Sequence, residues 1–217
     1  MSEVWEAGDK MEKLDDTMLE TLKTDLSGVS ADYMEIGLDA ILEDGLLKDI
    51  PVVNSIILLY KTGVNIRERF LIKKLLVFLT SLSDTTTEER LEFIQKHEKQ
   101  SAKIGEELIV LLDRLDHVNK PEYVARLFKH YLNEDINLIT YHRLCQIVDR
   151  CFIEDLRFLK EHESSDIVTG IEALSLSNNG LAVRASFDGG TFDEVNYNPK
   201  TDYKINELGK LLIKYAL

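Results

Sequence analysis

Apolar side chains recur at Val4, Ala7, Met11, Leu14, Met18, Leu22 and Leu26, the three-and-four spacing of one helical stripe. The stripe is narrow and the opposite face strongly acidic, which suits a helix packed on a body, a free arm or half of a coiled-coil contact. Gly28 is the expected stop and Ser30 the next N-cap, leading into a helix over 31–47 that turns Tyr33, Ile36, Ala40 and Ile41 inward. Residues 50–79, IPVVNSIILLYKTGVNIRERFLIKKLLVFL, form the most apolar stretch. Asp49, Ile50 and Pro51 read as its helical start, Gly63 as a break and Asn65 as the cap of a second helix through Leu82. Even Ile50 to Tyr60 is broken by Asn54 and Ser55, whereas a membrane-spanning helix wants about 20 apolar residues. A helical hairpin over 49–82, its first arm buried and its second amphipathic, fits the pattern.

LSDTTTEER is a polar loop in which Thr86 and Glu89 make a capping box. The helix after it either runs unbroken over 87–118 or breaks near 101–105. Asn119, Lys120 and Pro121 punctuate before an amphipathic helix carrying Tyr123, Val124, Leu127, Phe128 and Tyr131. A loop over 133–137 and a cap at Thr140 then introduce a helix over 141–160. Beyond 161–165 the period changes. Residues 166–176 read as a short helix, LAVRASF as an alternating strand, Asp188-Gly189-Gly190 as a hairpin tip, part of 191–205 as a second strand and 206–215 as a last helix. The strings ALSLSNNGLAVRA and YKINELGKLLIKY resemble winged-helix domains, in which a helix ends in Gly-Leu and the last helix opens with a polar cap and Leu-Gly. The expected fold is therefore mainly α: a multi-helix body over 1–160 with a small winged-helix-like α+β module over 166–217.

Charge sharpens this outline. The net charge is −13, but residues 1–50 carry −10 and residues 51–80 carry +4. Attraction to nucleic acid or an anionic membrane is thus opposed everywhere except in the hairpin. There Arg67, Arg69, Lys73 and Lys74 gather on one helix, as a face covered by the acidic N-terminal helices or as a surface for an anionic partner or membrane. These four are the candidate partner-binding residues. MSEVWEAGDK shows no signal-peptide pattern, so a cytoplasmic location is expected. Cys145 and Cys151, six residues apart on one helix, cannot bridge each other and read as buried thiols.

Chemical signatures are sparse. No phosphate-binding glycine loop, H-E-x-x-H, C-x-x-C or EF-hand spacing occurs. His142, Cys145 and Asp149 have the best metal-type spacing, at i, i+3 and i+7, yet need ligands from a second element, and a core-edge histidine beside a buried cysteine explains them as well. His97, His117, His130 and His162 sit on charged faces and read as solvated. Neither cysteine has a partner that would lower its pKa, and no serine sits in a G-x-S-x-G setting. The would-be reading helix of the winged module holds Asp166 and Glu172 but no Lys or Arg, which disfavours DNA.

The I-P-V-V opening at Ile50 and Pro51, Tyr60-Lys61-Thr62-Gly63, Ile66-Arg67-Glu68-Arg69 and Lys73-Lys74 before Phe78-Leu79 resemble a group of uncharacterised bacterial helical proteins. With LDRLDHVNKPEYVARLFKHYL the likeness covers roughly 45–160. It implies a setting among mobile elements and phage defence, and no activity. The leading expectation is a non-enzymatic regulatory protein without cofactor that binds another protein, with homo-oligomers as one form of partner. The alternatives are a membrane-perturbing effector acting through 50–79 under restraint by the acidic N-terminal region, and a winged-helix DNA regulator.

Overall fold

The computed structural model describes residues 14–29, 49–59, 66–165, 167–185 and 201–217. The expected helix over 31–47, the turn at Gly63, the cap at Asn65 and the Asp188-Gly189-Gly190 tip lie outside them. The protein is mainly helical, with ten helices and one three-stranded antiparallel sheet among the described residues. It divides into two compact units, Met1–Ala125 and Arg126–Leu217.

In the first unit, helical residues 14–23 (α1) bury Leu14, Met18 and Leu22, and Leu26 and Val29 follow them inward. Each such side chain contributes roughly 1.5–3 kcal/mol relative to exposure. Over 14–29 the acidic segment is therefore part of the body, not a free arm. Thr21 fixes its depth: Oγ1 donates to the Thr17 carbonyl at 2.8 Å and accepts the Val52 N–H at 3.0 Å. That N–H is one of the unpartnered donors in the first turn of α2 (Pro51–Leu59). α3 (Ile66–Leu82) buries Ile72, Leu75, Leu76, Phe78, Leu79 and Leu82. The Thr86–Glu89 capping box opens α4 (Thr87–Lys96) with both reciprocal bonds made.

The helix expected over 87–118 breaks at His97, between α4 and α5 (Glu98–Arg114), and not near 101–105. The His97 ring lies 4.4 Å from that of Phe93, and Nδ1 sits 2.9 Å from the Phe93 carbonyl oxygen, so the side chain takes up an acceptor at the end of α4. Gly105 lies inside α5 because the backbone of α1 crosses there: a Cβ would overlap the Asp15 carbonyl oxygen.

The division between the units falls inside α6 (Lys120–Leu132). In the second unit Asn137, not Thr140, caps α7 (Leu138–Arg150) by accepting the Thr140 N–H at 2.9 Å. The helix expected over 141–160 is two helices, because Cys151 and Phe152 are extended before α8 (Ile153–Glu161). α8 repeats the ending of α4: the His162 ring lies tilted against that of Phe158 with centroids 4.1 Å apart, and its Nδ1 lies 2.9 Å from the Phe158 carbonyl oxygen.

The span 166–176, expected as one helix, begins with strand β1 (Ile167–Val168) before α9 (Ile171–Asn178). β2 (Ala182–Arg184) and β3 (Tyr203–Ile205) follow, and α10 (Glu207–Tyr215) closes the chain. The sheet order is β1-β3-β2, with Ile167 and Val183 both paired to Lys204. The loop at 161–165, expected to separate domains, lies inside the second unit. α8 packs on both α9 and α10, and Ser175 Oγ of α9 donates to Asp155 Oδ2 of α8 at 2.5 Å.

The two strings that suggested a winged helix meet in space. Asn206 caps α10 by accepting the Gly209 N–H at 3.0 Å and donates its own amide to the Gly180 carbonyl at 2.8 Å. Gly209 lets α10 rest on this turn: a Cβ there would sit 2.5 Å from the Leu181 carbonyl oxygen and 2.6 Å from Ile205 Cγ2.

Candidate functional site

The four cations nominated on α3 do not lie on one exposed surface. Arg67, Arg69 and Lys73 are exposed, and Arg67 pairs with Asp113 of α5. With the Arg67 side chain 81% exposed, that pair contributes at most about 1 kcal/mol. Lys74 points the other way. It is 2% exposed, and its Nζ donates to the carbonyls of Asp113 at 2.6 Å and Leu115 at 2.9 Å, where α5 ends, while lying 4.9 Å from the centre of the Phe70 ring. An outside partner cannot reach it.

Cations at helix C-termini recur through the protein. The last four carbonyls of a helix lack intrahelical partners and carry the negative end of its dipole, so a cation is favoured there. Buried Arg90 donates from Nε to the Leu22 carbonyl at 2.9 Å and from Nη2 to the Thr24 carbonyl at 2.6 Å, closing the end of α1. Its Nη1 reaches the Thr85 carbonyl at 2.6 Å. Burial lowers its pKa from the ordinary arginine value, opposed by the charges of Asp25, Glu89 and Glu88. Arg126 Nη1 does the same for α10, donating to the Ala216 carbonyl at 3.2 Å and to the Leu217 main-chain oxygen at 2.9 Å.

Around Arg126 this device opens into a cleft lying wholly within the second unit. Arg126, Lys129 and His130 of α6, Lys214 and Tyr215 of α10, and Ala216 and Leu217 beyond it enclose about 190 Å³. His130 Nδ1 lies 2.7 Å from Asp135 Oδ2, and its ring meets Tyr215 edge-on with centroids 4.7 Å apart. Lys214 Nζ donates to the Tyr215 hydroxyl at 3.0 Å and lies 4.7 Å from the centre of that ring. The bond to Tyr215, with the charges of Tyr215 and Asp135 behind it, raises the Lys214 pKa from the ordinary lysine value, so its ammonium is charged at neutral pH. Arg126, Lys129, Lys214 and His130 thus line one hollow, with Asp135 against His130 and the Leu217 main-chain oxygen against Arg126, in a chain of net charge −13.

None of these residues was nominated from sequence. His130, read there as solvated, is half-buried and packed. Lys129 and His130 in FKHYL, and Lys214 in LIKY, are ordinary helix-terminal basic residues taken singly. Their convergence depends on the last turns of α6 and α10 coming together.

The remaining candidates are placed as follows. Cys145 is buried, and burial pushes its thiol pKa well up while a hydrogen bond with Tyr141 pulls weakly down, which keeps it protonated and unreactive. Cys151, one residue past α7, is also buried. Among the described residues no three His, Cys, Asp or Glu side chains are grouped to hold a metal ion, the set His142, Cys145 and Asp149 included. Asp155 is 6% exposed. Burial raises its pKa from the ordinary carboxylate value, Ser175 and the Phe152 N–H lower it, and Glu172 and Glu154 raise it further. The Ser175–Asp155 bond ties α8 to α9. No described helix is long and apolar enough to cross a membrane.

No family model, curated protein or solved structure matches this chain.

Proposed function

We propose that this chain is a non-enzymatic regulatory protein of the bacterial cytoplasm that works by binding another protein. In this reading its second unit contains a winged-helix-like module turned to protein contact. The order β1, α9, β2, β3, α10 and the sheet order β1-β3-β2 support the module. The observation that carries the choice of ligand is α9, the helix before β2, where a winged helix keeps its reading residues. Its sequence IEALSLSN has Glu172 as its one charge, and Ile171 is 61% exposed. A groove-reading helix needs cations for phosphates and Arg or Lys for guanine edges. An exposed isoleucine beside a glutamate suits a protein surface instead. The setting among mobile elements and phage defence, drawn from the resemblance of residues 45–160, is part of this proposal.

The test is fluorescence anisotropy of the full chain with duplex and single-stranded DNA at low salt, alongside crosslinking in the native host. No DNA affinity tighter than about 100 µM and a reproducible protein crosslink are expected. Tight, salt-sensitive DNA binding would overturn the reading.

One observation favours a second reading, an effector acting on an anionic membrane surface. At the start of α3, Ile66 is 87% and Phe70 36% exposed, beside exposed Arg67, Arg69 and Lys73. Flotation with vesicles rich in phosphatidylserine decides it: the chain stays at the bottom of the gradient if protein binding is the whole function.

A further inference from the structure

We propose that the solvent face of the β1-β3-β2 sheet is a self-association surface, occupied by the same face of a second copy of this chain; this stands apart from the reading above, which concerns a different protein. Alternation along each strand decides which side chains share the face. Val168, Tyr203, Ala182 and Ile205 are buried on the inner side. The intervening Ile167, Lys204 and Val183 form one exposed row across all three strands, since Ile167 and Val183 both pair with Lys204. Ile167 is 55% and Val183 51% exposed. The solvent face of an antiparallel sheet ordinarily carries polar side chains at such positions, and here two β-branched apolar ones stand in register. A second row follows, because the Ala185 N–H donates to the Asp202 carbonyl at 2.8 Å and so sets Ala185 opposite Asp202. Asp202, Ala185 and Thr169, each two residues along the chain from a member of the first row, are exposed as well.

Charge commits the occupant. Lys204 and Asp202 follow one another on this face with opposite signs, and neither side chain has an ion-pair partner among the described residues. A pattern of plus then minus is complementary to itself once reversed. A twofold axis lying in the interface, parallel to the rows and midway between them, reverses the strand direction and lays the Lys204 row over the Asp202 row of the other copy. Lys204 then meets the second copy's Asp202, Val183 its Ala185 and Ile167 its Thr169. Each large apolar side chain thus faces a smaller one across sheets packed about 10 Å apart, and every contact occurs twice. A second copy carries the required pattern by symmetry. Three short strands offer fewer than the roughly 20–30 residues a side of a standard interface, so the dimer is weak, with Kd on the order of 100 µM.

The experiment is sedimentation equilibrium of the full chain from about 10 to 500 µM in about 0.15 M salt, where a Debye length of about 8 Å damps repulsion between two chains of net charge −13 and spares direct contacts. Wild type is expected to pass from monomer towards dimer over that range. Lys204→Asp leaves two acids on the face and Asp202→Lys two cations, so each variant alone should associate about tenfold or more weakly. Mixed in equal amounts, the two variants should regain association as a heterodimer, because the acids of one then lie over the cations of the other. Differential labelling identifies that species, and melting curves establish that both variants are folded. A change that merely damaged the fold would not be repaired by mixing. A wild type that stays monomeric at the highest concentration overturns the proposal. So does a dimer indifferent to both single changes, or a mixture that regains nothing.

Discussion

Arg90 gathers into one buried guanidinium the carbonyls of Leu22, Thr24 and Thr85, so its loss leaves several acceptors without a donor at once. Arg90→Met fills similar volume and restores none of those bonds. It should destabilise the protein by about 2–4 kcal/mol in urea unfolding, well above a typical surface change. Asp155 gives a pH signature. Its folded pKa is raised, so its contribution favours folding below the ordinary carboxylate range and is lost as pH rises through that range to the raised value. Asp25 and Glu89 have lowered values, from hydrogen bonds to Ser27 and Thr86 respectively, and act in the opposite direction, so the variant must be compared with wild type. Asp155→Asn keeps an acceptor for Ser175 and removes the charge. Its melting temperature relative to wild type should rise from pH 4 to pH 7; a flat difference would show that the carboxylate is adequately solvated.

Among the elements, close backbone approach sets which small residues matter. Ala at Gly105 would meet the Asp15 carbonyl and Ala at Gly209 the Leu181 carbonyl, whereas Gly28 has open space around it and a backbone that tolerates a side chain. Gly105→Ala and Gly209→Ala should each cost about 1–3 kcal/mol, despite the usual helix-propensity gain of Ala over Gly. Gly28→Ala should be neutral or slightly stabilising. Equal effects at all three positions, read by chemical denaturation, would mean that α1 and α10 can shift without penalty.

Much of the element order was legible because it is written in local spacing. The capping box at Thr86 and Glu89, Pro51 in a first turn and the stripe Leu14, Met18 and Leu22 needed no distant contact. What the period missed was each break made by a side chain turning back on its own helix. EFIQKHE and LRFLKEHE each carry Phe and His four apart, and in both the histidine ring lies tilted against the phenylalanine at the end of the helix. That signal was present in the sequence, but a stripe of apolar residues does not report it. β1 was hidden for another reason: two residues are too few to show alternation, and the strand exists because β3 pairs with it.

For the molecule as a whole, buried Arg90 and Lys74 bond neutral carbonyls and buried Lys120 pairs with Asp116 at 2.6 Å, and such buried contacts are screened less than exposed ion pairs. Added salt should therefore act mainly by relieving self-repulsion in a chain of net charge −13. The melting temperature is expected to rise by roughly 2–4 °C between low salt and 0.3 M NaCl, about 1 kcal/mol for a chain of this size. A fall would place more of the stability in surface pairs such as Arg67–Asp113.

The sequence by itself determined the helical class, the starts of α2, α4, α6 and α10, the acidic balance and the α10 cap at Asn206, because propensity, periodicity and charge act over neighbouring residues. Only the tertiary structure decided what each cation is for. Lys74 and Lys73 are adjacent and chemically identical, yet one closes a helix inside the protein and the other faces solvent. Likewise Lys129 and Lys214 share a cleft only because two distant helices end side by side. A lone charge carries no record of its neighbours in space, and the role of a charge is set by those neighbours.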